Sequence, residues 1–178
     1  MRQSEQLVLP GRYTVVPRTL SFVFHDRLVL LLRGAADKRL WPNRLNGIGG
    51  HIEAHEDVFC AARREILEES GLTVENLRLC GIVNAPSATP SQGVLIFVFT
   101  ARAQSTAVRS SPEGTLEWVP WDDLPTHELV DDLPILLQRV LRHAPGGAPF
   151  YALYRYAPDG SLRIEFAEEA PVAIARPE

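Results

Sequence analysis

Cysteine is nearly absent from this chain. Two residues in 178, Cys60 and Cys80, make neither a disulfide framework nor a set of zinc thiolates. They read as reduced, buried small side chains of a cytosolic protein. Long apolar runs are missing too. The longest, near residues 28–32 and 94–99, fall well short of the roughly 20 residues a helix needs to cross a bilayer. The opening stretch MRQSEQLVLPGRY has no apolar signal core. Nor is there a basic surplus: 18 Lys and Arg stand against 22 Asp and Glu, for a formal charge of -4. That balance counts against a protein that grips duplex nucleic acid by charge, though not against a small anion held through a metal ion. Repeats and low-complexity segments are absent, and a 46% hydrophobic share excludes global disorder. What remains is one soluble domain, expected to be cytoplasmic and to have no membrane partner, long enough to bury a core without staples.

Several segments have a local signature. Val15–Phe24 and Leu28–Leu32 are rich in β-branched and aromatic residues around a turn at His25–Arg27, although Pro17 limits how the first can pair. A polar loop over 34–45 carries Trp41, read as closing a local core in preference to stacking on a planar ring. Val58–Ser70 has helical periodicity, with Asp57 as N-cap and Gly71 just past the end. Leu77–Val83 and Gly93–Ala103 read as strands around a proline-containing loop, the second buried on both faces. Leu116–Pro120 is a further strand, and Asp131–His143 a helix with Pro134 in its first turn. Phe150–Tyr156 and Ser161–Phe166 flank the turn Ala157-Pro-Asp-Gly160 and form a hairpin. The sum is an α/β (α+β) fold, a mixed β-sheet covered by helices. The expected division is a lead-in over 1–12, one domain over 13–169 including a C-terminal hairpin at 149–167, and a tail over 170–178.

The chemistry concentrates between Gly49 and Leu72, in GGHIEAHEDVFCAARREILEESGL. At 100° per residue, Glu65, Glu68 and Glu69 fall within an arc of roughly 100° on one helical face. Phe59, Ala62 and Ile66 take the neighbouring face, which can pack on a sheet. Like charges on one face repel, at a few tenths of a kcal/mol per exposed pair, and a cation relieves that repulsion. Carboxylate oxygens suit Mg²⁺ or Mn²⁺ better than zinc. Gly49-Gly50 permits close backbone approach and offers a carbonyl as another hard ligand. Without those glycines, a solvated acidic face balanced by Arg63 and Arg64 would be the simpler account.

The segment resembles the Nudix box. Gly50, Glu56, Arg64, Glu65, Ile66, Glu68, Glu69, Gly71 and Leu72 match every fixed position of that pattern. The softer preference for Pro-Gly before the first Glu is not met, since Ala54-His55 stands there. The resemblance implies a mixed sheet sandwiched between helices, and a Mg²⁺-dependent enzyme that cleaves a diphosphate bond in a nucleoside diphosphate linked to another moiety. It implies metal ligation by Glu65, Glu68 and Glu69 with the Gly49 or Gly50 carbonyl, orientation of Glu65 by Arg64, and a bracing role for Glu56. Glu65 is the first choice of base.

Outside the box, the chain is similar to the MutT-type oxidised-purine nucleoside triphosphatases of that family. Asn46 occupies the position of a base-binding amide, which can pair with a purine edge, or else it forms a turn before Gly47. Glu113, five residues before Trp118, is an additional metal ligand or an exposed loop residue. Asp131 and Asp132 precede a Pro-Ile-Leu-Leu run. They recognise the base or stabilise a helix N-terminus, and which of the two would contact the base stays open. Arg33 is a candidate phosphate contact, and Cys60 is read as core. The implied reaction is hydrolysis of a nucleoside triphosphate such as 8-oxo-dGTP to monophosphate and pyrophosphate. The alternatives are ADP-ribose or a sugar nucleotide as substrate, or a non-catalytic nucleotide-sensing domain. The sequence is silent on oligomeric state.

Overall fold

Neighbouring residues along the first strands go to opposite sides of a sheet, as the two-residue period of a strand requires. Phe22, Val29 and Leu31 enter one buried cluster, while Val23 and Leu30 enter the other. A computed structural model describes residues 11–38, 40–109, 112–124 and 128–167. The expected tail and all but the end of the lead-in lie outside these residues.

The elements in chain order are β1 (Thr14–His25), β2 (Leu28–Gly34), β3 (Leu45–Asn46), α1 (Val58–Ser70), β4 (Val74–Pro86), β5 (Gln92–Ala103), β6 (Gly114–Pro120), α2 (Leu133–Arg142), β7 (Phe150–Tyr156) and β8 (Leu162–Phe166). The strands form one mixed sheet in the order β3-β2-β1-β5-β4-β7-β8, with β6 paired to β2. Pairing is parallel between β1 and β5 and between β4 and β7, and antiparallel elsewhere. Ile66 of α1 packs into one cluster. Leu133, Leu136, Leu137 and Val140 of α2 pack into the other, so the two helices cover opposite faces.

One irregularity sets up the site. Strand β1 pairs with β2 only over Val23–His25, yet with β5 along nearly all its length. The vacated edge of β1 is taken by the glycine loop. Thr19 N–H donates to the Gly50 carbonyl at 2.9 Å, Ser21 and Ile48 exchange both bonds, and Ile52 N–H donates to the Pro17 carbonyl at 3.2 Å. Pro17 needs only to accept here, which is why a proline sits inside a central strand.

Three expectations need correction. Strand β4 extends past Val83, and Asn84, Ala85 and Pro86 pair with Leu95, Val94 and Gly93, so the proline loop is shorter than its composition suggests. Pro86 is tolerated because parallel pairing to β7 ends at Asn84. Cys60 is exposed; it lies off the Ala62–Ile66 stripe, and its thiol donates to the Asp57 carboxylate at 3.2 Å. Cys80 is buried, and burial pushes its thiol up to about 12. Trp41 closes no core, because it remains 49% exposed with its backbone in the left-handed region at φ 52.

Candidate active site

The helix that carries the acidic face is held at both ends by local chemistry. Asp57 accepts the N–H groups of Phe59 and Cys60 at 2.8 and 3.0 Å. Gly71 at φ 73 turns the chain out and returns its N–H to the Leu67 carbonyl. Between these caps, Arg64 organises the carboxylates. Its guanidinium donates to Glu56 through Nε and Nη2 at 3.1 and 2.6 Å, and to Glu65 and Glu68 through Nη1 at 2.8 and 3.0 Å. It also donates to the His51 carbonyl at 3.0 Å, tying helix to loop. The hydrogen bonds from Arg64, then the Glu53 N–H, hold the Glu56 carboxyl below its ordinary range. Glu56 thus braces the loop–helix junction.

Neither glycine before the helix has free space beside it for a side chain. A Cβ on Gly49 would run into the Thr19 carbonyl, and one on Gly50 would run into the Glu65 carboxylate. The Glu65 side chain therefore lies directly over the backbone at Gly50.

Glu69 differs from its neighbours. It is 7% exposed, and its Oε2 has no hydrogen-bond partner among the described residues. Burial first, then the charges of Glu65 and Glu113, push its carboxyl up to about 7, against an opposing contribution from Lys38 and the Gly49 N–H. The side chain faces a cavity of about 300 Å³ that Glu113, Gly49, Asn46, Arg18, Lys38, Arg44 and Trp41 also line. Glu113 pairs there with Lys38 at 2.6 Å.

A second cavity of about 340 Å³ adjoins the first, with Trp41 and Val130 lining both. Asp131, Asp132 and Ile135 form one side of it, and Tyr156, Leu162 and Ile164 of the hairpin form the other. The fold therefore divides the three residues expected at the base. Asn46 lines the first cavity, and the two aspartates line the second. Asn46 Oδ1 accepts the Gly47 N–H at 2.8 Å, so it shapes the turn while its amide nitrogen stays available. Asp131 pairs with Arg44 at 2.6 Å. Asp132 makes no capping hydrogen bond to α2, contrary to one of its two expected roles, because its backbone is already helical. Burial, foremost, raises its carboxyl. The Tyr154 hydroxyl lies close to it yet makes no hydrogen bond of ordinary geometry.

Arg33 does not line either cavity. Its guanidinium is engaged by Glu117 and Glu128, each at 2.5 Å, and by the Asn43 carbonyl at 2.9 Å. Lys38, Arg18 and Arg44 line the first cavity without belonging to any motif of the sequence. A usable signal existed for Lys38, the single lysine among seventeen arginines.

Among the described residues no three acidic, histidine or cysteine side chains converge as a finished ion cage. Glu65 and Glu68 turn towards Arg64 instead. The chemistry of the donor set nevertheless suits a hard divalent cation. A buried carboxylate oxygen lacks a partner, and the carboxylates of Glu65 and Glu113 raise its proton affinity and add further oxygen atoms of the kind such a cation takes.

These features define a class. The chain belongs to the NUDIX domain family, whose pattern matches residues 16–141, and it is a Nudix hydrolase. It is similar to the oxidized purine nucleoside triphosphate hydrolase of Mus musculus, at 30% identity over 125 residues, 68% of this chain and 79% of that protein. The Danio rerio protein of the same name is 31% identical over the same length and the same shares. A solved structure of a MutT protein from Bacillus halodurans superposes with a TM-score of 0.69 at 26% identity, covering 85% of this chain and 97% of that one. Among the described residues no helix is long and apolar enough to cross a membrane.

Proposed function

We propose that this enzyme hydrolyses the phosphate chain of a purine nucleoside triphosphate, with an oxidised base such as that of 8-oxo-dGTP as the preferred substrate. Water attacks a phosphorus of the chain, giving monophosphate and pyrophosphate. The observation that carries the reading is the buried Glu69 carboxylate, one oxygen of which has no partner among the described residues, on a residue that lines the cavity beside the box. The similarity to purine triphosphate hydrolases of mouse and zebrafish supports the choice of substrate.

In this reading Glu69 and Glu113 are the donors that face the cavity, with Glu65, Glu68 and the Gly50 carbonyl completing the set. The Gly50 carbonyl accepts Thr19 N–H and keeps a second lone pair. Bound Mg²⁺, or Mn²⁺, supplies charge neutralisation on the phosphates and an acidified water. Arg64 holds Glu65 over Gly50, where its carboxylate takes the proton of the attacking water. The base lies near Trp41, where the two cavities meet, with Asn46 on one side and Asp131 and Asp132 on the other. An indole face of this exposure offers stacking area to a planar ring.

The test is a substrate panel with Mg²⁺, with Mn²⁺ and with EDTA. It spans canonical and oxidised purine dNTPs, pyrimidine dNTPs, ADP-ribose and sugar nucleotides. The expected result is divalent-ion-dependent release of pyrophosphate, fastest from an oxidised purine, with Asn46→Ala raising KM for purines more than for pyrimidines. Preference for ADP-ribose, or equal rates on pyrimidine dNTPs, would sink the substrate assignment.

A further inference from the structure

We propose that Arg18 is the side chain that grips the phosphate chain of the substrate, an assignment that rests on the reading above for its ligand class. Three cations line the first cavity: Arg18, Lys38 and Arg44. Lys38 is paired with Glu113. Arg44 is paired with Asp131 and donates to the Leu129 carbonyl at 2.7 Å. Arg33, the arginine the sequence put forward for this task, is held by two glutamates outside the cavity. Arg18 alone of the cavity cations forms no ion pair and no side-chain hydrogen bond among the described residues. It is half-buried, and no protein group among the described residues satisfies its donors.

The position of Arg18 is rigid. Its backbone pairs with Ile96 of β5 on one side and bridges His51 of the glycine loop on the other. The next residue, Thr19, holds the Gly50 carbonyl. The side chain therefore rises from the one stretch of β1 that also positions the box, and it lines the same cavity as Gly49 and Glu69. A triphosphate carries more negative charge than one divalent ion offsets, and the other cavity cations already face carboxylates. A planar fork of five N–H donors matches a phosphate in geometry as well as charge. A half-buried arginine with no acid of its own, opening on a cavity, has the form of an anion receptor awaiting its ligand.

The experiment compares wild type with Arg18→Ala, Arg18→Gln and Arg18→Lys. Two readouts are used: steady-state kinetics on the best purine triphosphate, and calorimetric binding of inorganic triphosphate and of an α,β-imido purine triphosphate in Mg²⁺. Loss of a charge-assisted contact is expected to raise KM and to weaken both ligands on the order of tenfold or more in the Ala and Gln variants. The effect on kcat should stay within a factor of about three, because the contact is present before and during reaction. Lysine should recover part of the loss, and thermal midpoints should stay at the wild-type value since no protein partner is removed. Unchanged affinity for inorganic triphosphate overturns the assignment, as does weakened binding of the nucleotide analogue alone, which would place Arg18 at the sugar or base. Should wild type hydrolyse no nucleoside triphosphate while Arg18→Ala still loses inorganic triphosphate, the substrate reading falls and the role of Arg18 stands.

Discussion

Replacing Glu69 with glutamine should stabilise the metal-free protein at neutral pH and disable the enzyme. The carboxyl is 7% exposed, and one oxygen has no partner. Burial and two acidic neighbours carry it from an ordinary 4.5 to about 7. At about 1.4 kcal/mol per pKa unit, the ionised form in the metal-free fold is disfavoured by about 3 kcal/mol relative to the unfolded chain. A group whose folded pKa lies above its unfolded value adds stability below the unfolded pKa and loses it as pH rises through the folded one. Wild type and Glu69→Gln should therefore differ least at and below pH 4.5. In EDTA, the variant should become the more stable protein as pH rises from about 4.5 through 7, by up to about 3 kcal/mol in urea denaturation. Adding Mg²⁺ should reverse the order. Wild type gains stability by mass action through binding to the native state, and the variant gains little. Turnover of the variant should fall by about two orders of magnitude or more. A variant less stable than wild type in EDTA at pH 8, or a difference that does not change with pH, would refute the electrostatic account of this residue. Full Mg²⁺-dependent turnover in Glu69→Gln would remove it from the metal site.

Two further outcomes are expected. Arg64→Lys keeps the charge but cannot serve Glu56, Glu65, Glu68 and His51 at once. It should destabilise the fold by about 2 kcal/mol and lower kcat at least tenfold, read by chemical denaturation and steady-state assay. Gly50→Ala places a methyl group where the Glu65 carboxylate now lies. Because that carboxylate is the end of a flexible side chain, the fold should survive with a thermal midpoint within a few degrees. The kcat value should drop at least tenfold, and unaltered kcat would show that Glu65 need not lie over this glycine.

What was readable in the sequence was whatever depends on neighbours along the chain. Helix α1 runs from Val58 to Ser70, as Asp57 and Gly71 foretell, because capping and the left-handed exit act within a few residues. The hairpin of β7 and β8 follows from Ala157-Pro-Asp-Gly160, with Gly160 at φ 81. The box was legible because its carboxylates are spaced to share a helical face. Tertiary structure decided the rest, because burial and charge pairing join residues far apart in sequence. Antiparallel pairing of β2 with β6 sets Leu31 against Glu117 and Arg33 against Thr115. Arg33 and Glu117 are thereby diagonal neighbours on one face, and the expected phosphate ligand is captured. The same long-range packing leaves Trp41 exposed where two cavities meet. It leaves Glu69, alone of the three box glutamates on that face, buried without a partner for one oxygen. The low cysteine count and the acidic balance narrowed the class of protein. Only the folded chain separates the carboxylates bound to Arg64 from the one that faces the cavity, since local sequence gives all three the same helical face while the protein interior gives them different partners.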